Sequence, residues 1–273
     1  MYKQFGVREI CNVVFKAKTA RKIGTVDFAA GQPVIYFDSL KTSTLEGAST
    51  TVYAQGGRGN PRLIAWEGER TVTFTMEDAL ISPMGFAILS GAGLIQGTAE
   101  NGVTHATQRI TANTQELDGD TPITDKTEYP MYALTFKGDT MIGSQIVADF
   151  EAAKALITGD VDAVLLDYYV TAGTKLTQID IEPDKFGGNF YIEAETLFRD
   201  KDGADHAAEF IIPNGKVQSN FTFTMASSGD PSTFTFTVDA FPGYTKFDKS
   251  KKVMATLQIV DESVTSATVS DEE

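Results

Sequence analysis

Alternation of polar and apolar residues with a period of two recurs along this chain, and it restricts the fold more than any other feature. From 65 to 75 the odd positions are Ala65, Glu67, Glu69, Thr71, Thr73 and Thr75, and the even positions include Trp66, Val72, Phe74 and Met76. Successive side chains of a strand point to opposite faces, so the run predicts a strand with one packed and one wet face. It leads into Ser82-Pro83, an N-cap followed by proline at the first helical position, and Gly91 supplies a stop. A short helix rich in Phe86, Ile88 and Leu89 is expected between them.

The same pattern returns three times. Over 189–198 Glu193 and Glu195 alternate with Phe190, Ile192, Ala194 and Phe198. Over 218–225 Gln218, Asn220, Thr222 and Thr224 alternate with Phe221, Phe223 and Met225, and over 233–239 Thr233, Thr235, Thr237 and Asp239 alternate with Phe234, Phe236 and Val238. None of these four wet faces carries lysine or arginine. Threonine suits any solvated strand, so an ordinary outer face stays open as a reading. Exposed strands usually carry some lysine, however, and its absence favours strands that line a channel.

Further strands are expected at 10–15, 33–37, 104–112, 131–136, 163–170, 175–181, 207–212 and 253–260, with a helical patch at 149–157. Asn214-Gly215 has the composition of a two-residue hairpin turn, and a second turn is expected at 200–203. The Ser/Thr/Gly-rich stretch 39–60 is too polar to bury and too long for an ordinary connection. Its β-formers (Thr50, Thr51, Val52, Tyr53) make it a protruding hairpin or arm, and a neighbouring subunit is the expected contact. The expected organisation is one β domain from 1–96 and 160–260 with that arm, a segment 97–159 that is inserted or lateral, and a mobile acidic tail from 261 to 273.

Net charge is −14 at pH 7, which disfavours a grip on nucleic-acid phosphates while letting nucleic acid pass nearby without sticking. One cysteine, Cys11, rules out an internal disulfide and sits in an apolar run, as a buried inert thiol does. With no signal peptide and no apolar run of membrane-spanning length, folding in a cytoplasm is expected.

Candidate chemistry is sparse. The glycine-rich run Gln55-Gly56-Gly57-Arg58-Gly59-Asn60-Pro61 lacks the following Gly-Lys-Ser/Thr and helix of a phosphate cradle, so it reads as a loop tip. Asp200-Lys201-Asp202-Gly203 resembles the opening of a calcium loop, but Ile211 stands where the closing glutamate belongs. His206 and Glu209 form an isolated His-x-x-Glu, which reads as a surface histidine. No nucleophile, base and orienter come together, so no enzyme, cofactor or metal is expected.

The strand-helix unit, read with FGGNFYIEAETLFRDKDG (186–203) and IPNGKVQSNFTFTMASSGDPSTFTFTVDAFPGY (212–244), resembles the tail tube proteins of tailed bacteriophages. The likeness covers 33–95 and 161–245, and 97–159 has no counterpart in the smallest members. It implies a mainly β protein: an antiparallel β-sandwich flanked by a short α-helix, forming an inner β-barrel on hexamerisation. It further implies stacked hexameric rings, a lumen holding the tape-measure protein and genomic DNA, a sheath outside in contractile tails, and no membrane. On that basis Glu67, Glu69, Thr71, Thr73, Glu193, Glu195, Thr222, Thr224, Thr235, Thr237 and Asp239 are expected to line the lumen. Thr44, Leu45, Thr51, Val52, Tyr53 and Arg58 are expected on an arm between rings. The competing reading is a virion β-sandwich that binds carbohydrate or a cell surface through Tyr168, Tyr169 or Tyr244.

Overall fold

A computed structural model describes residues 4–7, 9–24, 26–91, 93–96, 102–119, 122–123, 125, 127–225, 227–229 and 232–260. The acidic segment 261–273 and residues Asp230 and Pro231 lie outside the described residues. The chain is mainly β, with antiparallel sheets and short helices. It divides into two compact units, residues 1–94 with 179–273, and residues 95–178.

The first unit opens with β1 (Phe5–Val7), β2 (Asn12–Ala17), β3 (Arg21–Ile23), β4 (Val26–Phe28), β5 (Pro33–Phe37), β6 (Leu40–Gln55), β7 (Arg62–Asp78) and helix α1 (Pro83–Ser90). The chain passes through β8 (Gly93–Gln96) to the second unit, which holds β9 (Val103–Thr111), β10 (Met131–Lys137), β11 (Thr140–Val147), α2 (Phe150–Lys154) and β12 (Ala163–Thr171). It returns through β13 (Thr177–Asp180) to β14 (Asn189–Asp200), β15 (Asp205–Val217), β16 (Phe234–Ala240) and β17 (Thr256–Ile259).

The main sheet runs β5-β2-β14-β15-β16-β7-β6, with β1 on the end of β14 and β17 beside β15. Its inner face carries Phe15, Phe74, Met76, Phe190, Ile192, Phe236 and Val238, all essentially inaccessible. The rings interlock at centroid distances of 5.4 Å for Phe15–Phe37 and 5.0 Å for Phe37–Phe236. Over this face lies α1, apolar along its whole length because it is buried from Gly85 to Ser90. Ser82 Oγ accepts from the Gly85 N–H at 3.0 Å, and Pro83 occupies the first helical turn. Gly91 closes the helix at φ 73°, and a Cβ there would fall 2.1 Å from the Phe186 carbonyl carbon. Both the left-handed backbone and the close approach require glycine.

The second unit has its own sheet, β11-β10-β12-β9, with a core of Ile110, Met131, Ala133, Val164, Leu166 and Tyr168. Strand β12 therefore belongs here, although 163–170 reads from sequence as part of the first unit's sheet. Alternation predicts a strand and says nothing about its partner. Tyr168, one of the tyrosines considered for carbohydrate, is 2% exposed in this core.

Two local expectations fail for identifiable reasons. Asn214-Gly215 is no hairpin turn: β15 runs unbroken through it, with a bulge opposite Phe190 to Ile192. Gly215 serves packing, since a Cβ would fall 2.6 Å from Val238 Cγ1 and 2.8 Å from Ile192 Cδ1. Likewise the 218–225 run leaves the sheet after Val217. Its aromatics turn onto the helix, with Phe221 and Phe223 each 5.0 Å from Phe86, and that contact replaces strand pairing. Thr222 and Thr224 are exposed, but they sit on irregular chain.

Candidate functional site

The outer face of the main sheet is built from pairs directly opposite one another, which share a face. On β16, β7 and β6 these are Thr235↔Glu77, Thr237↔Thr75, Asp239↔Thr73, Thr44↔Thr75 and Glu46↔Thr73. Gln218 Nε2 donates to both Asp239 carboxylate oxygens at 3.0 Å and holds that carboxylate in place. Along β2, β14 and β15 the same face carries Lys16, Tyr191, Glu193, Glu195, Glu209 and Lys216, so it is not free of lysine.

Glu193 illustrates the difference. Its carboxylate accepts from Lys16 Nζ and lies 3.5 Å from Lys246 Nζ. Burial pulls the Lys16 ammonium down, but the hydrogen-bonded Glu193 outweighs it and leaves the group above its ordinary value. Burial pushes Glu209 up, and Glu193 and Glu195 add to the shift. In the folded subunit the charged form of Glu209 thus costs stability at neutral pH, and the cost disappears as pH falls through its raised pKa towards 4.5. Glu209→Gln is accordingly expected to raise the thermal midpoint of the unassembled subunit around pH 7, with the gain shrinking to nothing in acid. A variant less stable than wild type at neutral pH would contradict this.

The second feature is the β6–β7 hairpin. These strands pair along their full length, from Leu40↔Asp78 at the root to Gln55↔Arg62 at the tip. At the root Leu45, opposite Phe74, packs against the core. Beyond Ser49↔Arg70 the hairpin leaves the core, and residues 62–71 are exposed on both faces. The tip turns through Gly57, Gly59 and Asn60, all at positive φ, with Arg58 exposed among them. The arm is thus two strands: the 39–60 stretch and the 62–70 stretch that the sequence placed among channel-lining strands.

A bulge in this hairpin changes which residues share a face. Between Ser49 and Thr51 the partner strand advances from Arg70 to Glu67, so one extra residue lies on β7 at Gly68-Glu69. The Thr50 hydroxyl seals the bulge by accepting from the Glu69 N–H at 2.9 Å. Glu69 stays on the side of Thr71 and Thr73, whereas Glu67, opposite Thr51, moves to the other side. Trp66, opposite Val52, and Ile64, opposite Ala54, come onto the hydroxyl face instead. Val52, Ile64 and Trp66 are 61%, 54% and 51% exposed. Tyr53, on the reverse side, carries the Arg62 guanidinium 4.1 Å from its ring centre.

His206, the 200–203 turn and Cys11 sit in structural settings. His206 is buried, not a surface residue, and its Nε2 lies 3.0 Å from Asp200, away from Glu209. Asp200 also accepts from the Asp202 and Ala204 N–H groups, which shapes the 200–203 turn as a hairpin. Cys11 is buried, and burial raises its thiol pKa. No group of three or more potential metal ligands occurs among the described residues. Sequence reading missed the Lys16–Glu193 contact because its partners are 177 residues apart.

Sheet, helix and hairpin define an antiparallel β protein whose distinctive features are a broad polar face and a long projecting hairpin. The sequence profile of the YomU/Tube protein family matches residues 18–257, and the chain belongs to that family. This agrees with the resemblance to phage tail tube proteins and supports a structural role, self-assembling, in the virion tail. No curated protein matches the chain.

Proposed function

We propose that this chain polymerises as stacked hexameric rings, with the outer face of its main sheet turned towards a shared lumen through which DNA is delivered. The projecting β6–β7 hairpin carries the reading: a two-stranded arm that stands clear of the core with Val52, Ile64 and Trp66 exposed finds its cover on a neighbouring copy. Six copies placed side by side close the sheet edges that a lone subunit leaves open. In that ring Glu69, Thr71, Thr73, Glu195, Thr235, Thr237 and Asp239 face inward. Glu193 is partly neutralised by Lys16, and Glu67 falls on the reverse side of the hairpin. On the β6, β7 and β16 part of that face hydroxyls and carboxylates offer phosphates no neutralising contact, and Lys16 is taken up by Glu193, so DNA and the tape-measure protein slide past. A sheath, in a contractile tail, would sit outside.

Imaging of purified, concentrated protein is expected to show hollow polymers of uniform width. Replacing Glu195 and Asp239 with lysine is expected to leave those polymers intact while slowing genome ejection from particles built with the variant. Compact monomers under every assembly condition would reject the ring reading, and unchanged ejection would reject the lumen assignment.

A further inference from the structure

Within this acidic chain four lysines, Lys246, Lys249, Lys251 and Lys252, fall in seven residues. The loop that holds them is a built structure. Thr245, 3% exposed, accepts from the Asp248 N–H and donates to the Asp248 carbonyl, both at 3.1 Å. Asp248 accepts from the Ser250 N–H at 2.8 Å and from its hydroxyl at 2.6 Å. The Gly243–Val253 bridge closes the base, and the Lys246 N–H donates to the Tyr191 hydroxyl at 3.3 Å. Polar groups of the loop are thus committed to its shape, while Lys246 Nζ reaches Glu193 and the Tyr191 ring and Lys252 Nζ lies 5.6 Å from the Tyr244 ring centre. Lys249, Lys251 and Lys252 are exposed and make no ion pair among the described residues. Beside them lies a cavity of about 400 Å³ lined by Lys18, Tyr191, Pro213, Tyr244, Lys246 and Lys252.

We propose that this lysine loop is the docking site for the acidic segment 261–273 of the same chain. That segment carries Asp261, Glu262, Asp271, Glu272 and Glu273 and no basic residue, so its charge complements the loop. Its composition also includes Val264 and Val269, and the loop exposes the Phe247 ring. The chain from Lys252 to Val260 spans at most about 28 Å, and thirteen further residues reach about 45 Å, so the segment can return to the loop. Tethering supplies a local concentration on the order of millimolar, enough for a weak electrostatic contact. A dense polyanion fits less well, because Glu193 and Glu209 flank Lys246 and Lys16. Docking leaves this lysine loop of the unassembled subunit covered, independently of how rings form.

The test compares trypsin cleavage after Lys249, Lys251 and Lys252, followed by mass spectrometry, in the full chain and in a chain ending at Val260. Both are held at a concentration where sedimentation shows monomers. Cleavage is expected to be about tenfold slower in the full chain, since proteolysis follows the population of the uncovered loop. Salt at about 0.5 M is expected to erase the difference. A full-length Asp271→Asn, Glu272→Gln, Glu273→Gln chain, which keeps the segment's length, is expected to cleave like the shortened one. Equal rates at low salt, or protection that survives neutralisation of the acids, would overturn the proposal. Protection that fades on dilution would also overturn it, by assigning the contact to a neighbour's segment.

Discussion

A chain in which Ser49 is joined to Arg70 by an Asn-Gly turn, with residues 50–69 removed, is expected to fold as a stable subunit and to form no tubes. Ser49 and Arg70 are paired across the hairpin, so a two-residue turn closes the shortened ribbon in register. Everything that packs on the core, including Leu45, Phe74 and Met76, lies on the retained side of the cut. The excised residues are exposed on both faces for most of their length, so the unfolding midpoint in urea should move little, by about 0.5 kcal/mol or less. Assembly is a different matter. Val52, Ile64 and Trp66 each offer roughly 1.5–3 kcal/mol if fully covered by a neighbouring copy. Losing all three at every contact removes more than a weak, repeated interface can spare. Electron microscopy of the shortened chain would show dispersed subunits or isolated rings, and full-length hollow polymers would refute the arm reading. Trp66→Ser, which leaves the backbone untouched, should reproduce part of the defect.

Phe236→Ala is expected to have the largest effect on the subunit itself. The ring is 1% exposed, meets Phe37 edge-on at 5.0 Å and lies beneath α1, where a Cβ at Gly85 would come 3.6 Å from it. Truncating a buried phenylalanine costs about 3–5 kcal/mol, through lost burial and the cavity left behind. Set against a typical total of about 5–15 kcal/mol, this lowers the urea midpoint substantially with the slope unchanged. Thr235, the next residue along β16, is exposed on the opposite face, and Thr235→Ala should stay within about 0.5 kcal/mol. The contrast between neighbours is the measurement. Similar effects at both positions would mean that the two faces of β16 are not divided into core and surface.

These two expectations draw on different kinds of information. The division of β16 into Phe234, Phe236 and Val238 on one side and Thr235, Thr237 and Asp239 on the other can be read from residue order, and the structure repeats it. The α1 boundaries were equally legible, because a Ser-Pro start and a glycine stop act on the few residues beside them. The hairpin was legible only in half. Residues 39–60 read as an arm, but their pairing with 62–70 did not, and the extra residue at Gly68-Glu69 carried Glu67 to one face and Trp66 to the other. The Asn214-Gly215 pair misled in the opposite sense, since a bulge and a crowded Cβ position hold it within a strand.

Residue order by itself determined that this chain forms antiparallel strands with packed and wet sides, one capped helix and an acidic surface. Each of these follows from chain geometry and side-chain chemistry over a few positions. Tertiary structure alone decided that β12 joins the second unit's sheet, that Lys16 pairs with Glu193, that His206 is buried against Asp200, and that the 246–252 loop lies beside a cavity lined by Lys18 and Tyr191. Those outcomes depend on which distant segments pair and in what register. A period of two is the same for every candidate partner, and only contact energies summed over the whole core choose among them.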